Sequence, residues 1–475
     1  MIKPNAGKLG GWIASWIQPD GAIHGFHNHS VWGGNPYRWR DFSSGHSTWA
    51  SPFLAGLSLA LSQCANAEGL ALLKRLVRYQ TQSFQADGQY DHIGFQVGDS
   101  LKFGLIHNAM TNVSLGLAAL HGKHLLEQDE LDAIRGAIVR NMEACRRYGN
   151  GRPGESATCN QDYARIWGKL LFRQAFGDDR WHEEVKEDLA YMIQHFHVQG
   201  LPDADSAGTY RTFHDKSAVE PAEYYGLMIL PLVLAYEVYG DAAYLEHAGT
   251  ICRHVARSAW TDAAGLTRFH RLWYRQGAEW RKNDSPMLIA GMGDSLHGIH
   301  RYLEHRKDEA LAAFLTQCDQ TYAMYQTKRG YFVSATGWQS EVDIAPSTAW
   351  HSHDFLYLIA RHGADESFWE QFTESDSSTS VLLGDQCLWV ERDNHWTITD
   401  YFWQDVFRLL GRKDEAYFGR DIPEWAQMEG RLPDSFTFPQ LPSFLKSDDG
   451  IYLMNDHGLK MDVMSIAATP YRGKL

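Results

Sequence analysis

Read for hydrophobic and polar positions, the chain repeats one unit: a long polar loop, an almost wholly apolar stretch of helical length, a short turn, and a more charged amphipathic stretch. The fullest example runs from Gln199 to Gly240. Its loop holds Asp203, Asp205, Tyr210, Arg211, His214 and Asp215, and from about Glu220-Pro221 it becomes a helix that is apolar on nearly every side. Proline in a first helical turn loses no intrahelical bond, so the helix is expected to start near Pro221. A helix apolar all round must be buried all round. Its amino end then brings the ionisable loop to the mouth of a core.

The unit recurs. A short helix near Lys8–Ile17 ends at the turn Pro19-Asp20-Gly21. Apolar and charged helices then pair at Thr48–Cys64 with Ala67–Gln85, Leu105–Leu120 with Gln128–Tyr148, and Cys159–Phe176 with Asp179–Val198. Three further pairs are expected at Pro221–Tyr239 with Asp241–Trp260, Pro286–His305 with Lys307–Gln326, and Thr348–Arg361 with Glu366–Phe372. The apolar members begin near residues 48, 105, 159, 221, 286 and 348, and a regular period of this kind signals an array of helical hairpins. Cap chemistry marks several starts: Thr158 with Gln161, Ser285-Pro286, and Ser347.

Every long loop precedes an apolar helix, so parallel packing of those helices gathers the loops on one face. Six hairpins closing on themselves make an all-α (α/α)6 toroid. The competing form is an open solenoid, which seldom carries long irregular loops on every repeat. Residues 1–376 are assigned to the toroid as the catalytic domain. Residues 377–475 are assigned to a small irregular or β appendage packed on it, because VLLGDQCLWVERDNHWTITDYFW alternates and Pro423, Pro433, Pro439 and Pro442 follow.

Charge and composition narrow the function. A net charge of −14 with no basic segment argues against a nucleic-acid partner, and no stretch reaches membrane-spanning length. The six cysteines, Cys64, Cys145, Cys159, Cys252, Cys318 and Cys387, form no paired framework and read as reduced core residues. With no leader pattern at Met1, a cytoplasmic protein is expected, or the mature form of a secreted one. The 17 Trp exceed what a core of this size ordinarily uses, and sugar clefts need flat apolar faces.

No phosphate-binding glycine loop and no G-x-S-x-G elbow is present. His24, His27, His29 and His46 crowd the first loop, but no Cys or carboxylate at zinc spacing completes them, so hydrogen-bonding roles beside Trp32, Trp39, Arg38 and Arg40 are expected and no metal or cofactor. Carboxylates at the inner-helix starts are the sharper signal: Asp91, Glu155 and Asp162, then Asp203, Asp205, Asp215, Glu220 and Glu223, then Glu341 and Asp343. Cleaving a glycosidic bond takes one carboxylic acid to protonate the leaving oxygen and a second carboxylate to activate water or stabilise the cation. Acids also favour first helical turns for dipole reasons alone. What adds weight is that acids, Trp, Tyr, Arg and His gather on one face.

The six-hairpin layout, with acids at the second and third inner-helix starts, resembles the toroidal glycan-degrading enzymes, particularly unsaturated glucuronyl and rhamnogalacturonyl hydrolases. The resemblance covers roughly Lys8–Phe372 and implies catalytic acids at Asp91 and Asp162. A second resemblance is to toroidal polysaccharide lyases, which remove the C5 proton of a uronate with Tyr or His. Tyr210, Arg211 and His214, with Asn160 and Tyr163, supply such groups. The expected function is therefore hydrolysis of oligosaccharides, uronate-containing ones foremost, with β-elimination as the alternative. A terpenoid cyclase around Asp203-Ala204-Asp205 lacks the full D-x-D-D pattern, and a helical-repeat binding protein would not need converging acids. Candidate catalytic residues are Asp91, Glu155, Asp162, Tyr210, His214 and Glu220. Candidate substrate-binding residues are Trp32, Arg38, Arg40, Arg211, His270, Arg271, Trp338, Trp350 and His351.

Overall fold

The computed structural model describes residues 3–14, 17, 20, 21, 23, 51–84, 86–90, 105–147, 151–154, 159–196, 219–261, 267–270, 273–282, 286–287, 289–326, 330, 332, 336–338, 341–343, 348–373, 380–384, 387–392, 395–397, 452–454 and 460–462. Among them the helices are α1 Ala6–Ala14, α2 Pro52–Gln63, α3 Ala67–Gln82, α4 Leu105–His121, α5 Gln128–Arg147, α6 Cys159–Phe176 and α7 His182–Phe196. They continue with α8 Gly226–Tyr239, α9 Ala242–Arg257, α10 Gly293–His305, α11 Glu309–Tyr325, α12 Thr348–His362 and α13 Glu366–Thr373.

The apolar helices α2, α4, α6, α8, α10 and α12 each pack against the next, and α12 returns to α2. That closes the ring. Each is followed by its charged partner on the outside, and α1 packs against α13 to complete the outer layer. The inner helices run parallel, because contacts between neighbours join start to start and end to end. Ser51 donates to Met110 O and Ser58 to Ala118 O, pinning the start and middle of α2 in the same order along α4. At the carboxyl ends, Glu237 of α8 meets Arg301 and His305 of α10. His300 Nε2 of α10 lies 3.0 Å from Ala360 O of α12.

Local sequence explains the two layers. In α8 every residue from Gly226 to Ala235 is buried, and its seven large aliphatic side chains each gain roughly 1.5–3 kcal/mol by leaving water. The outer helix α3 buries only Gly69, Leu72, Leu73, Leu76, Val77 and Gln80, one stripe at helical spacing. Asn66, Asp241 and Asp308 cap the outer helices α3, α9 and α11 by accepting main-chain N–H bonds from Gly69, Ala243 and Leu311. No described helix is long and apolar enough to cross a membrane.

Two expected starts shift. Pro221 caps a single 3-10 turn, Ala222–Tyr224, and the α-helix proper begins at Gly226. The fifth inner helix begins at Gly293, not at Pro286, because Pro286 and Met287 form β5 and pair with His270 and Phe269. A proline needs no donor at such an edge, and Gly291, at φ +92, breaks the chain between strand and helix.

The loops carry short antiparallel strands. β1 Ala259–Thr261, β2 Thr267–His270 and β5 Pro286–Met287 form one sheet, while β3 Trp273–Gln276 with β4 Glu279–Lys282 and β6 Thr336–Trp338 with β7 Glu341–Asp343 form hairpins. Beyond the last helix, β8 Ser380–Gly384, β9 Cys387–Arg392 and β10 His395–Thr397 form a meander, and β11 Tyr452–Met454 pairs with β12 Lys460–Asp462.

Candidate active site at the amino ends of the inner helices

Between α6 and α8 the decisive group is Glu220. The extended residue Pro221 (φ −59, ψ 147) carries the chain into α8, and Glu220 just before it caps the amino end of α6. Its carboxyl accepts from Asn160 N at 3.0 Å, Asn160 Nδ2 at 3.1 Å and Cys159 Sγ at 2.9 Å. An amino end favours a negative charge, but burial wins here. Glu220 is 1% exposed, and loss of solvation lifts its carboxyl to about 8, with Glu223 adding to the rise against the pull of the Cys159 and Asn160 bonds. Loss of solvation thus shifts its balance toward the protonated form. Burial and the same carboxyl push the Cys159 thiol well above its usual range.

Between α10 and α12 the main chains nearly touch. A Cβ at Gly293 would lie 2.3 Å from the carbonyl carbon of His353. In this junction His353 Nδ1 stands 2.7 Å from Asp294 Oδ2, both side chains almost wholly buried. Asp354 beside it accepts from Gly291 N and Gly293 N and from the Tyr322 hydroxyl. Burial lifts Asp354 to about 7 against these bonds. On either side of α10, Tyr224 at the entry to α8 and Trp350 in the first turn of α12 lie parallel, centroids 6.4 Å apart and 10° between planes.

The structure brings Glu220 and Trp350 to this face and gives other predicted residues different surroundings. Asp162 is fully buried, accepts from Gly154 N at 3.1 Å and pairs with Arg165 at 3.4 Å. Arg165 and Lys169 continue the network to Asp188 and Glu184 of α7, so Asp162 belongs to a buried ion cluster binding an inner helix to its outer partner. His351 is also fully buried, its Nε2 against the main chain of Phe332 and its ring 5.0 Å from Trp12. His270 ends β2, donates its main-chain N–H to Ser258 O and lies 6.4 Å from the Trp260 ring. Trp338 ends β6, in register with Glu341. Asp91, Glu155, Tyr210, His214, Trp32, Arg38, Arg40, Arg211 and Arg271 lie outside the described residues, as does the first-loop histidine group. Among the described residues no group of three or more His, Cys, Asp or Glu side chains is placed to hold a metal ion.

Sequence reasoning missed Asp294. The signal for Asp294 was G-M-G-D-S: an acid in a first turn, preceded by two glycines that permit close approach of another helix. Starting the helix at Pro286 hid it.

The sequence matches no family model and no curated protein. Among solved structures the chain is similar to a sugar epimerase from a ruminal bacterium, with a TM-score of 0.50 and 12% identity over 75% of this chain and 96% of that one. It is similar to a D-mannose isomerase at a TM-score of 0.50 and 13% identity, again over 75% and 96%. An α-1,6-mannanase from Salegentibacter aligns at a TM-score of 0.49 and 13% identity over 75% and 97%. At these identities the likeness is one of fold, and that to the epimerase and the isomerase agrees with the ring seen here: the chain is an (α/α)6 toroid.

Proposed function

We propose that the protein is a carbohydrate-active enzyme, a glycoside hydrolase acting on oligosaccharides, uronate-containing ones foremost. The observation that carries this reading is Glu220: a buried carboxyl at the amino end of α6, beside Glu223, on the face where the inner helices begin, which loss of solvation pushes up toward its protonated form. A neutral carboxylic acid is what protonation of a glycosidic oxygen requires. Glu220 gives its proton to the leaving oxygen as the C–O bond breaks. Glu223 takes the proton of the incoming water, or stabilises the cation at the anomeric carbon. Trp350 and Tyr224 are buried on this face with their rings parallel to one another, and the arginines of the loop sequences suit a uronate carboxylate.

A second reading, proton transfer at a sugar carbon, is favoured by the His353–Asp294 pair. An imidazole held by a carboxylate can take a proton from carbon and return it. Elimination, epimerisation and isomerisation all need that step, and two of the solved structures of similar fold are named as a sugar epimerase and a D-mannose isomerase.

One product assay separates these readings. The protein is incubated in deuterated water with a panel of neutral and uronate oligosaccharides. New reducing ends without ultraviolet absorbance support hydrolysis. A new conjugated double bond means elimination, and carbon-bound deuterium in an unbroken sugar means epimerisation or isomerisation. No change in any sugar removes the enzymatic reading.

A further inference from the structure

Asp354 has no part in the chemistry above, yet it is fully buried and held by three donors. It directly follows His353 on α12, and successive helical side chains point about 100° apart. His353 therefore meets the Asp294 side chain while Asp354 meets the main chain just before it. Two of its three bonds come from Gly291 and Gly293, which bracket the turn into α10, and the third comes from Tyr322 on α11. Gly293 leaves no room for a Cβ against His353. The turn is thus clamped from both sides, and Asp294 is the next residue.

We propose that Asp354 is a positioning residue: by holding the Gly291–Gly293 turn against α12 it sets Asp294 beside His353 and fixes the orientation of that imidazole. The proposal rests on reading the His353–Asp294 pair as a proton-transferring group of the site. Burial of Asp354 fits the role, because an acceptor shielded from water keeps its main-chain donors in one geometry. Burial pushes the Asp354 carboxyl up while the Tyr322, Gly291 and Gly293 donors pull it down, and bonds to its ionised form are the stronger ones.

The test uses the full chain with 15N-labelled histidine, the His353 signals being assigned by their loss in His353→Gln. In Asp354→Asn the His353 imidazole signals are expected to move without any ligand, while those of the remote His195 stay. On the sugar that the product assay identifies, kcat is expected to fall about tenfold to a hundredfold, the range for a misplaced catalytic group, with KM nearly unchanged. The double variant Asp294→Asn/Asp354→Asn should be no slower than Asp294→Asn alone. Unmoved His353 signals in folded Asp354→Asn, or additive losses in the double variant, overturn the proposal. If Asp354→Asn does not fold, Tyr322→Phe removes one of the three donors and is read by the same signals with the same two outcomes. The imidazole signals need no substrate, so a protein inactive on every sugar sinks the functional reading and leaves the positioning of His353 still decided.

Discussion

Gly226 and Asp294 meet main chain to main chain: a Cβ at Gly226 would lie 2.0 Å from the carbonyl carbon of Asp294. The amino ends of α8 and α10 therefore touch with no side chain between them. Ser295 sets the register, accepting from Gly226 N at 3.0 Å and donating to Ala222 O at 2.7 Å. A methyl group at 226 must push the two helices apart, and Gly226→Ala is expected to cost about 3 kcal/mol or more, the upper end for overpacking. Gly136, exposed in the middle of α5 with nothing near its missing Cβ, is the control. Gly136→Ala should gain about 0.5–1 kcal/mol from helix propensity alone. Urea denaturation of both variants checks the pair.

Glu220 and Asp354 predict a pH dependence of stability with a definite sign. Burial raises both, to about 8 and about 7 from ordinary values of 4.5 and 3.8. Between its two values each group keeps its proton in the folded protein and has lost it in the unfolded chain. The folded state is therefore favoured by low pH. This contribution is complete below the unfolded value and is lost as pH rises through the folded one, at about 1.4 kcal/mol per pH unit for each group. Glu220→Gln should make the decline between about pH 5 and 8 shallower by that amount. Denaturation curves that fall with pH equally in the variant and the parent would contradict the burial argument.

The ion cluster between α6 and α7 predicts a stability phenotype for a residue that the sequence put forward as catalytic. Lys169 and Asp188 stand 3.1 Å apart, Arg165 and Asp188 3.7 Å, and all three are almost wholly shielded from water. Without the Asp188 carboxylate, Arg165 and Lys169 stay buried with only Asp162 and Glu184 as partners, so Asp188→Asn is expected to cost about 3 kcal/mol, the lower end for a broken buried pair. Asp162→Asn should likewise lower the melting temperature, because Arg165 loses its nearest carboxylate. An Asp162→Asn protein that melts like the parent but has lost all turnover would return Asp162 to the chemistry.

The hairpin array was legible because burial on two different scales leaves two different patterns. Inner helices are buried on nearly every side, α8 being apolar all round, and outer helices on one stripe, and Cys159–Phe176 is the same segment in sequence and structure. The start at Pro286 was misread because proline suits a first helical turn and an unpaired strand edge equally well, and only the pairing with His270 decides between them. In the same way Asp241–Trp260 read as one helix, whereas α9 stops at Arg257 and Ala259–Thr261 pair with Thr267–Phe269. At the site, the sequence located acids at helix starts but not which way they face. Asp162, Arg165 and Lys169 share one face of α6, and Glu184 and Asp188 share one face of α7. That complementary spacing was the available sign that Asp162 binds two helices together. The bonds of Glu220 to Asn160 and of Asp354 to Gly291 span 60 and 63 residues, and no local pattern carries contacts of that range.

The measurement nearest the centre of the account is the turnover of Glu220→Gln on the sugar the wild-type protein cleaves, with the melting temperature taken on the same sample. A general acid contributes on the order of a hundredfold to ten-thousandfold, so the account predicts a loss in that range from a folded protein, with new reducing ends almost abolished. Wild-type turnover by folded Glu220→Gln would contradict it and remove Glu220 as the proton donor.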